Sequence, residues 1–281
     1  IVSLGCAKNL VDSEVMADVM LKAGFNKVEP EQADILIINT CAFIDPAKQE
    51  AIDTIFAATR ARENAEAPIH QKIIVAGCLS QRYAKELVSL MPEVDCFLGV
   101  DYVCKVAEVA GACLDGTAEK VYSTKVSTLV PDFGETRYRL TNKHFAYVKI
   151  AEGCNHACSY CVIPRIRGAH RSRPQANVLR EVRALVEQGV KEINLIAQDT
   201  TYYGMDKWEE KAQRTSGVDS SRGESLASLL REINDIPGDF WVRVLYTHPA
   251  HWSQELIDTF AQCEKVVKYV DIALQHISAH I

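Results

Sequence analysis

Short apolar runs alternate with segments of helical periodicity along the first part of the chain, and this alternation limits the fold more than any other feature. Three runs, at Ile1–Leu4, Ile35–Ile38 and Ile73–Ala76, are separated by helical segments at about 11–23 and 45–62. A strand–helix alternation of this kind favours parallel strands joined by crossover helices. We therefore predict an α/β fold that begins with a doubly wound parallel sheet.

A cysteine follows each of the three apolar runs. Cys6, Cys41 and Cys78 all stand just beyond the predicted carboxyl end of a strand. In open parallel sheets these strand ends line one edge, where ligands bind. A single cysteine in such a place is usually a small buried core residue. Because three occur in equivalent places, we expect the thiols to converge on one site.

A second strand–helix alternation occupies the rest of the chain. Four strands are predicted, at 145–150, 192–197, 241–246 and 268–274, with helices at 177–188, 225–234 and 253–262. Four strands with three crossover helices predict part of a TIM-like β/α barrel, whose carboxyl strand ends carry the chemistry. The residues at those ends are Cys154, Gln198-Asp199, Thr247-His248 and Gln275-His276.

Composition and charge exclude several classes of protein. The 281 residues are 48% hydrophobic and 24% charged, which is ordinary for a globular protein. No apolar run approaches the roughly 18 residues that a membrane helix needs. The net charge of −6 offers no excess of cations for gripping nucleic-acid phosphates.

Three of the ten cysteines form a compact motif. Cys154, Cys158 and Cys161 have the spacing C-x3-C-x2-C. Zinc sites usually need four Cys or His ligands, whereas three thiolates can bind three irons of a cubane cluster and leave the fourth iron open. A structural metal site is the alternative. The other four cysteines, Cys96, Cys104, Cys113 and Cys263, share no spacing and are interpreted as packing residues.

Several separated motifs resemble the radical S-adenosylmethionine methylthiotransferase family. Residues 153–161, followed by Ile163-Pro164 and Arg167-Gly168, resemble its cluster-binding signature. The segments that resemble its amino-terminal domain are Ser3–Asn9, Asn39-Thr40-Cys41 and Gly77-Cys78. Val11–Glu14 and Gln198-Asp199-Thr200 are similar to the branch that modifies an aspartate of the small-subunit ribosomal protein S twelve, more than to the branch that modifies tRNA.

The resemblance implies two 4Fe-4S clusters. Cys154, Cys158 and Cys161 would bind the first, from which an electron cleaves S-adenosylmethionine to a radical. Cys6, Cys41 and Cys78 would bind the second, auxiliary cluster, which carries the sulfur to be inserted.

Further residues are implied near these two cofactors. Gln198 and Asp199 are candidate contacts of S-adenosylmethionine. Four arginines follow the motif and could bind a carboxylate of S-adenosylmethionine or of a substrate aspartate: Arg165, Arg167, Arg171 and Arg173. Of these, Arg167 is the candidate contact of S-adenosylmethionine. Asn9 and Asn39 are expected to donate hydrogen bonds around the auxiliary cluster.

The domain boundaries follow from the same resemblance. Residues 1–125 would form the amino-terminal domain with the auxiliary cluster, 126–143 a polar linker, and 144–281 a truncated radical S-adenosylmethionine domain. The chain starts without Met and stops after the fourth predicted strand, so we expect a fragment that lacks a carboxyl-terminal TRAM domain.

The expected activity is methylthiolation at the β-carbon of an aspartate of ribosomal protein S twelve. The implied partners are that protein and an electron donor such as flavodoxin, with no membrane, and the enzyme is expected to be a cytoplasmic monomer. Two alternatives stay open: the same chemistry on a tRNA adenosine, and a non-catalytic carrier of iron–sulfur clusters.

Overall fold

The computed structural model describes residues 1–64, 70–130, 137–274 and 277–280. It divides into two compact units, one of residues 1–129 with 159–168 and the other of residues 130–158 with 169–281. The predicted strand-end pair Gln275-His276 lies outside the described residues. In the described part of the chain, no helix has both the length and the apolar character needed to span a bilayer.

The first unit contains a five-stranded parallel sheet whose strand order follows the chain order. Its strands are β1 (Val2–Ser3), β2 (Ile35–Thr40), β3 (Lys72–Gly77), β4 (Cys96–Leu98) and β5 (Val121–Tyr122). Its helices are α1 (Ala7–Lys22), α2 (Asp45–Glu63), α3 (Cys78–Leu90), α4 (Val106–Leu114) and the single turn α5 (Ile163–Ile166).

Helices cover both faces of this sheet because successive strand residues point in opposite directions. Ile38 of β2 belongs to the buried cluster that α2 and α3 complete. The next residue, Asn39, donates instead to Ser13 on α1. The predicted α/β arrangement is therefore confirmed for this unit.

Helix α1 begins earlier than the predicted start near residue 11. Cys6 is its N-cap residue, so the helix starts at Ala7, immediately after the strand-end loop. The polar residues Asn9, Asp12 and Ser13 of its first turns are buried rather than exposed, which the amphipathic pattern alone did not indicate.

The second unit contains three parallel strands in the order β10-β9-β6 and a separate antiparallel pair, β7 with β8. The strands are β6 (Phe145–Lys149), β7 (Ala151–Glu152), β8 (Arg171–Ser172), β9 (Glu192–Ile196) and β10 (Trp241–Val244). The helices are α6 (Gln175–Glu187), α7 (Leu226–Asn234) and α8 (Gln254–Gln262). Their apolar faces pack on the strands in one continuous core.

The predicted fourth strand of the barrel differs from the structure. Only isolated parallel bridges form there, Val242 with Val266 and Thr247 with Ile272. Tyr269 and Val270 between them are about half exposed, so this segment lacks the burial on both faces that a barrel strand normally has.

Candidate functional site

The three dispersed cysteines occupy equivalent places in the first unit. Cys6 caps α1, Cys41 follows β2 directly, and Cys78 is the first residue of α3. Because β1, β2 and β3 are parallel neighbours, all three thiols lie at one edge of the sheet. Cys41 and Cys78 are buried and Cys6 is partly buried.

Two glycines allow the cysteine-bearing loops to approach one another. Gly5 has a φ of +86°, and a Cβ there would lie 2.6 Å from the Cβ of Cys41. Gly77 has a φ of +94°, and a Cβ there would lie 2.3 Å from Oδ1 of Asn39. Both positions need glycine for backbone conformation and for space.

Two buried asparagines make hydrogen bonds between the loops at this edge of the sheet. Asn9 donates from Nδ2 to the carbonyl of Thr40 at 2.8 Å, and Asn39 donates to the carbonyl of Asn9 at 2.8 Å and to Oγ of Ser13 at 2.9 Å. Cys78 Sγ lies 3.6 Å from Oδ1 of Asn9. These bonds fix the loops that carry the thiols.

Arg167 belongs to the first unit and reaches this edge. Arg167 as a whole is 3% exposed, and its guanidinium pairs with Asp12, with Nη1 and Oδ2 at 2.9 Å. Nη2 donates to Oδ1 of Asn9 at 2.7 Å and to Sγ of Cys78 at 3.2 Å. From the sequence, Arg167 was interpreted as a contact of S-adenosylmethionine. In the structure, its hydrogen-bond partners lie around the dispersed cysteines.

The surroundings of the thiols control their protonation. The pKa of the Cys78 thiol is raised to about 11, chiefly by burial and also by the nearby Cys6 and Cys41, against a lowering by Arg167. Burial also raises the pKa of Cys41, while the backbone N–H groups of Phe43 and Ala42 lower it. Burial, aided by the neighbouring thiols, therefore disfavours the thiolate forms, so a metal bound here would have to displace these protons.

The contiguous motif lies in the loop between β7 and α5. Cys154, Cys158 and Cys161 are all partly buried. Sγ of Cys154 accepts the backbone N–H of His156 at 3.4 Å. Within the second unit, Asn155 also accepts the backbone N–H of His170 at 3.0 Å, so the start of the loop is held by its own backbone and by the residue that precedes β8.

A buried carboxylate holds His156 of this loop. Oδ2 of Asp199 lies 2.8 Å from Nε2 of His156 and 3.3 Å from Nε2 of His251. Burial raises the pKa of Asp199, but the hydrogen bonds from these two histidines outweigh burial and hold it well below its ordinary value. Asp199 therefore ties the cysteine loop to the carboxyl end of β9.

The hydrogen bond that Nδ1 of His251 makes determines which ring nitrogen carries the proton. Nδ1 donates to the carbonyl of Ser216 at 2.7 Å, so Nε2 can donate to Asp199 only when the ring is protonated. Burial lowers the pKa of His251, but the bond to Asp199 and its charge outweigh burial and raise it above its ordinary value.

His248 completes this group of side chains. Its ring stacks on His156 with centroids 3.8 Å apart, and its Nδ1 accepts the N–H of Ala250. The ligand atoms of His156, Asp199, His248 and His251 lie within 4.8 Å of one another. Hydrogen bonds to Asp199 and the stacking of His248 on His156 account for this spacing. The sequence missed His156 and His251, and their only signal was proximity to a cysteine motif and a strand end.

Gln198 presents a polar atom that lacks a partner. Its Nε2 donates to Oε2 of Glu152 at 3.0 Å, and Glu152 pairs with the buried Lys149 at 2.6 Å. Among the described residues, nothing donates to the buried Oε1 of Gln198. A buried acceptor without a donor fits a cationic ligand group such as an ammonium.

Arg173 has buried hydrogen-bond donors for which the described residues offer no acceptor. It is buried and pairs with Glu181, yet its Nε and Nη2 atoms have no acceptor within the described part of the chain. Two neighbouring donors of a guanidinium match the two oxygens of a carboxylate.

The four unclustered cysteines divide by exposure. Cys96, Cys113 and Cys263 are buried and Cys104 is exposed. A hydrogen bond with Cys113, together with burial, raises the pKa of Cys96 far above its ordinary value.

Family models match both parts of the chain. Residues 1–99 match the family described as Uncharacterized protein family UPF0004, and residues 148–281 match the Radical SAM superfamily. The class of protein is therefore a radical S-adenosylmethionine protein with an amino-terminal UPF0004 region.

Curated relatives refine this class. The chain is 59% identical over 281 residues to the "Ribosomal protein uS12 methylthiotransferase RimO" of Akkermansia muciniphila, covering 99% of this chain and 62% of the relative. It is 54% identical over 285 residues to the protein of the same name from Opitutus terrae, covering 99% and 60%. The chain is similar to these methylthiotransferases over almost its whole length, in agreement with the resemblance of its motifs, and it spans about 60% of the length of these relatives.

Solved structures share the fold at low identity. The radical S-adenosylmethionine methyltransferase TsrM from Kitasatospora setae matches with a TM-score of 0.58 and 14% identity, covering 95% of this chain and 57% of that one. The cobalamin-dependent radical enzyme OxsB matches with a TM-score of 0.52 and 11% identity, covering 93% and 41%. These likenesses confirm the fold class.

Proposed function

We propose that this chain is the cofactor-binding part of an enzyme that adds a methylthio group to the β-carbon of an aspartate in ribosomal protein uS12. The observation that carries the proposal is the meeting of Cys6, Cys41 and Cys78 at one sheet edge, in a chain with a separate C-x3-C-x2-C motif. Two independent sets of three thiols are what two iron–sulfur clusters with open irons require. The RimO names of the relatives support the choice of substrate.

The residues of the first unit fit an auxiliary 4Fe-4S cluster. Soft thiolates are the preferred ligands of such clusters, and this edge offers three, with Gly5 and Gly77 making room around them. Arg167 supplies a hydrogen-bond donor to Cys78, and Asn9 accepts a second hydrogen bond from the same guanidinium nitrogen. In this proposal Cys6, Cys41 and Cys78 bind the cluster that delivers sulfur.

The residues of the second motif fit the cluster that works with S-adenosylmethionine. Cys154, Cys158 and Cys161 lie within eight consecutive residues, so the chain itself keeps them within reach of one cluster. When bound, the reduced cluster supplies the electron that cleaves the sulfonium of S-adenosylmethionine. The protein contributes placement of the reactants and exclusion of water.

Polar side chains of the second unit are assigned to S-adenosylmethionine. Among the described residues nothing pairs with the buried Oε1 of Gln198, which is assigned to the ammonium group of S-adenosylmethionine, or with Nε and Nη2 of Arg173, which are assigned to a carboxylate. Asp199 contributes by holding His156, the residue midway between Cys154 and Cys158. An electron donor such as flavodoxin, a monomeric state and a cytoplasmic location complete the proposal.

The test uses the full-length protein, reconstituted anaerobically with iron and sulfide. Small ribosomal subunits and tRNA are supplied in parallel with S-adenosylmethionine and a reductant, and each product is analysed by mass spectrometry. We expect one methylthio group on a uS12 aspartate and none on tRNA. Modification of tRNA alone would assign the same chemistry to the other branch of the family.

A carrier of iron–sulfur clusters is the alternative of a different class. It predicts full iron loading, about eight irons per chain for two clusters, without cleavage of S-adenosylmethionine after reduction. Release of 5′-deoxyadenosine from the loaded enzyme would exclude a simple carrier.

A further inference from the structure

We propose that Arg167, located in the segment after the radical S-adenosylmethionine cysteines, serves the auxiliary cluster by donating an N–H···S hydrogen bond to the Cys78 ligand and raising the cluster's reduction potential. This inference rests on the proposed function, because it takes Cys6, Cys41 and Cys78 as cluster ligands. It assigns a positioning and tuning role that neither the motif nor the names of the relatives specify.

The contact itself is direct. Nη2 of Arg167 lies 3.2 Å from Sγ of Cys78, and both side chains are buried. Neighbouring side chains leave the guanidinium little contact with water, because Arg167 as a whole is only 3% exposed. In such a poorly hydrated place, a hydrogen bond from a charged group acts on the sulfur with little screening.

Partners other than the cysteines hold the guanidinium in place. Asp12 pairs with Nη1 at 2.9 Å and Asn9 accepts from Nη2 at 2.7 Å. Asn9 is fixed in turn, because it donates to the carbonyl of Thr40 at 2.8 Å. The residue before the arginine, Ile166, is 1% exposed and belongs to the core of the same unit.

The chemistry of arginine suits this role better than that of lysine. Its guanidinium stays protonated in proteins and presents several donors in a fixed plane. One plane can therefore serve Asp12, Asn9 and Cys78 together, as the structure shows. A lysine in the same place would keep the charge but could not hold three partners in one plane.

The expected consequence concerns the reduction potential of the cluster. Hydrogen bonds to the sulfurs and the charge around a cluster help to set its potential. Donation to the Cys78 sulfur withdraws electron density and stabilises the reduced state more than the oxidised one. Arg167 should therefore make the auxiliary cluster easier to reduce than it would be with three unsupported thiolates.

The test isolates the auxiliary cluster in the full-length protein. Cys154, Cys158 and Cys161 are replaced by alanine, and the remaining cluster is titrated with a reductant under EPR. In that background, Arg167→Met should lower the potential by about 59 mV, equivalent to about tenfold in the one-electron reduction equilibrium. Arg167→Lys should give a smaller shift of the same sign, and the exposed neighbour Arg165→Met should give none.

A second readout covers the case in which Arg167→Met does not fold or does not retain a cluster. Pulsed EPR of the parent protein exchanged into deuterium oxide should show an exchangeable proton coupled to the cluster, and Arg167→Lys should lose or weaken that coupling. Binding of S-adenosylmethionine to Arg167→Lys, measured with all cysteines present, should stay within about twofold of the parent.

The outcomes separate the inference from the proposed function. A parent protein that binds no cluster at Cys6, Cys41 and Cys78 contradicts the proposed function itself. A cluster that is present but has the same potential and the same proton coupling in Arg167→Lys overturns the role of Arg167. Loss of S-adenosylmethionine binding with an unchanged potential would also overturn the role of Arg167 at the auxiliary cluster. It would assign Arg167 to the binding of S-adenosylmethionine instead.

Discussion

The two sets of three cysteines are built in opposite ways. Cys154, Cys158 and Cys161 lie within eight residues of chain, whereas Cys6, Cys41 and Cys78 come from three separate strand–helix connections. The contiguous set depends mainly on its loop, which Asp199 holds through His156. The dispersed set exists only when β1, β2 and β3 pair in parallel. Damage to the fold should therefore affect the dispersed set far more than the contiguous set.

Single cysteine replacements should separate the two sets most strongly. Cys41→Ala in the full-length enzyme should keep cleavage of S-adenosylmethionine but abolish insertion of sulfur, with loss of about half of roughly eight irons. Cys158→Ala should abolish cleavage and keep the auxiliary cluster. Iron analysis and release of 5′-deoxyadenosine measure both results. The reverse pattern would show that the roles of the two sites are exchanged.

A backbone substitution at the sheet edge should damage the dispersed set selectively. In Gly77→Ala the new Cβ would lie 2.3 Å from Oδ1 of Asn39 and 2.7 Å from the carbonyl of Thr40, at a φ of +94°. We expect a loss of about 3 kcal/mol in the free energy of unfolding and loss of the auxiliary cluster, measured by denaturant titration and iron content.

Gly116→Ala is the matched control for this change. Gly116 also has a positive φ, +71°, but nothing lies within 4 Å of the added Cβ. Gly116→Ala should lower the free energy of unfolding by only about 1 kcal/mol and should leave both clusters in place. Equal losses in the two variants would mean that backbone strain alone, without the crowding beside Asn39, explains the effect.

Replacement of Asp199, which holds the contiguous cysteine loop through His156, should lower the stability of the protein by an amount that depends on pH. The bond to Asp199 raises the pKa of His251 above its ordinary 6.5. The stability that this ion pair contributes is fully present below that ordinary value and is lost as the pH rises through the raised pKa. Asp199→Asn should therefore destabilise the cluster-free protein by about 1–3 kcal/mol near pH 5.5 and by less near pH 8.5.

Denaturant titrations of the parent and of Asp199→Asn at the two pH values check this result. The exposed Asp239→Asn, which removes only a surface pair with Lys191, is the control and should show no such dependence on pH. A difference between parent and Asp199→Asn that grows with pH would contradict the assignment of the proton to His251.

Sequence reasoning reached the fold because the physical signals were local. Helix α2 begins at Asp45, where an acidic residue and Pro46 predict a start, and β9 and β10 lie within the predicted apolar runs. The predicted strand at 268–274 was wrong because apolar residues such as Tyr269 and Val270 are exposed. Residue type alone does not reveal whether a neighbouring strand is present to bury it.

By itself, the sequence determined the strand–helix alternation, the contiguous cysteine motif and the recurrence of cysteine after each strand. These features depend on residues that are close along the chain, so their spacing carries the information. The contacts of Arg167 with Asn9, Asp12 and Cys78, and the link that Asp199 forms between His156 and His251, are visible only in the folded protein. Those contacts join residues 43 to 158 positions apart, and the free energy that selects them comes from burial and pairing of charges in the folded protein.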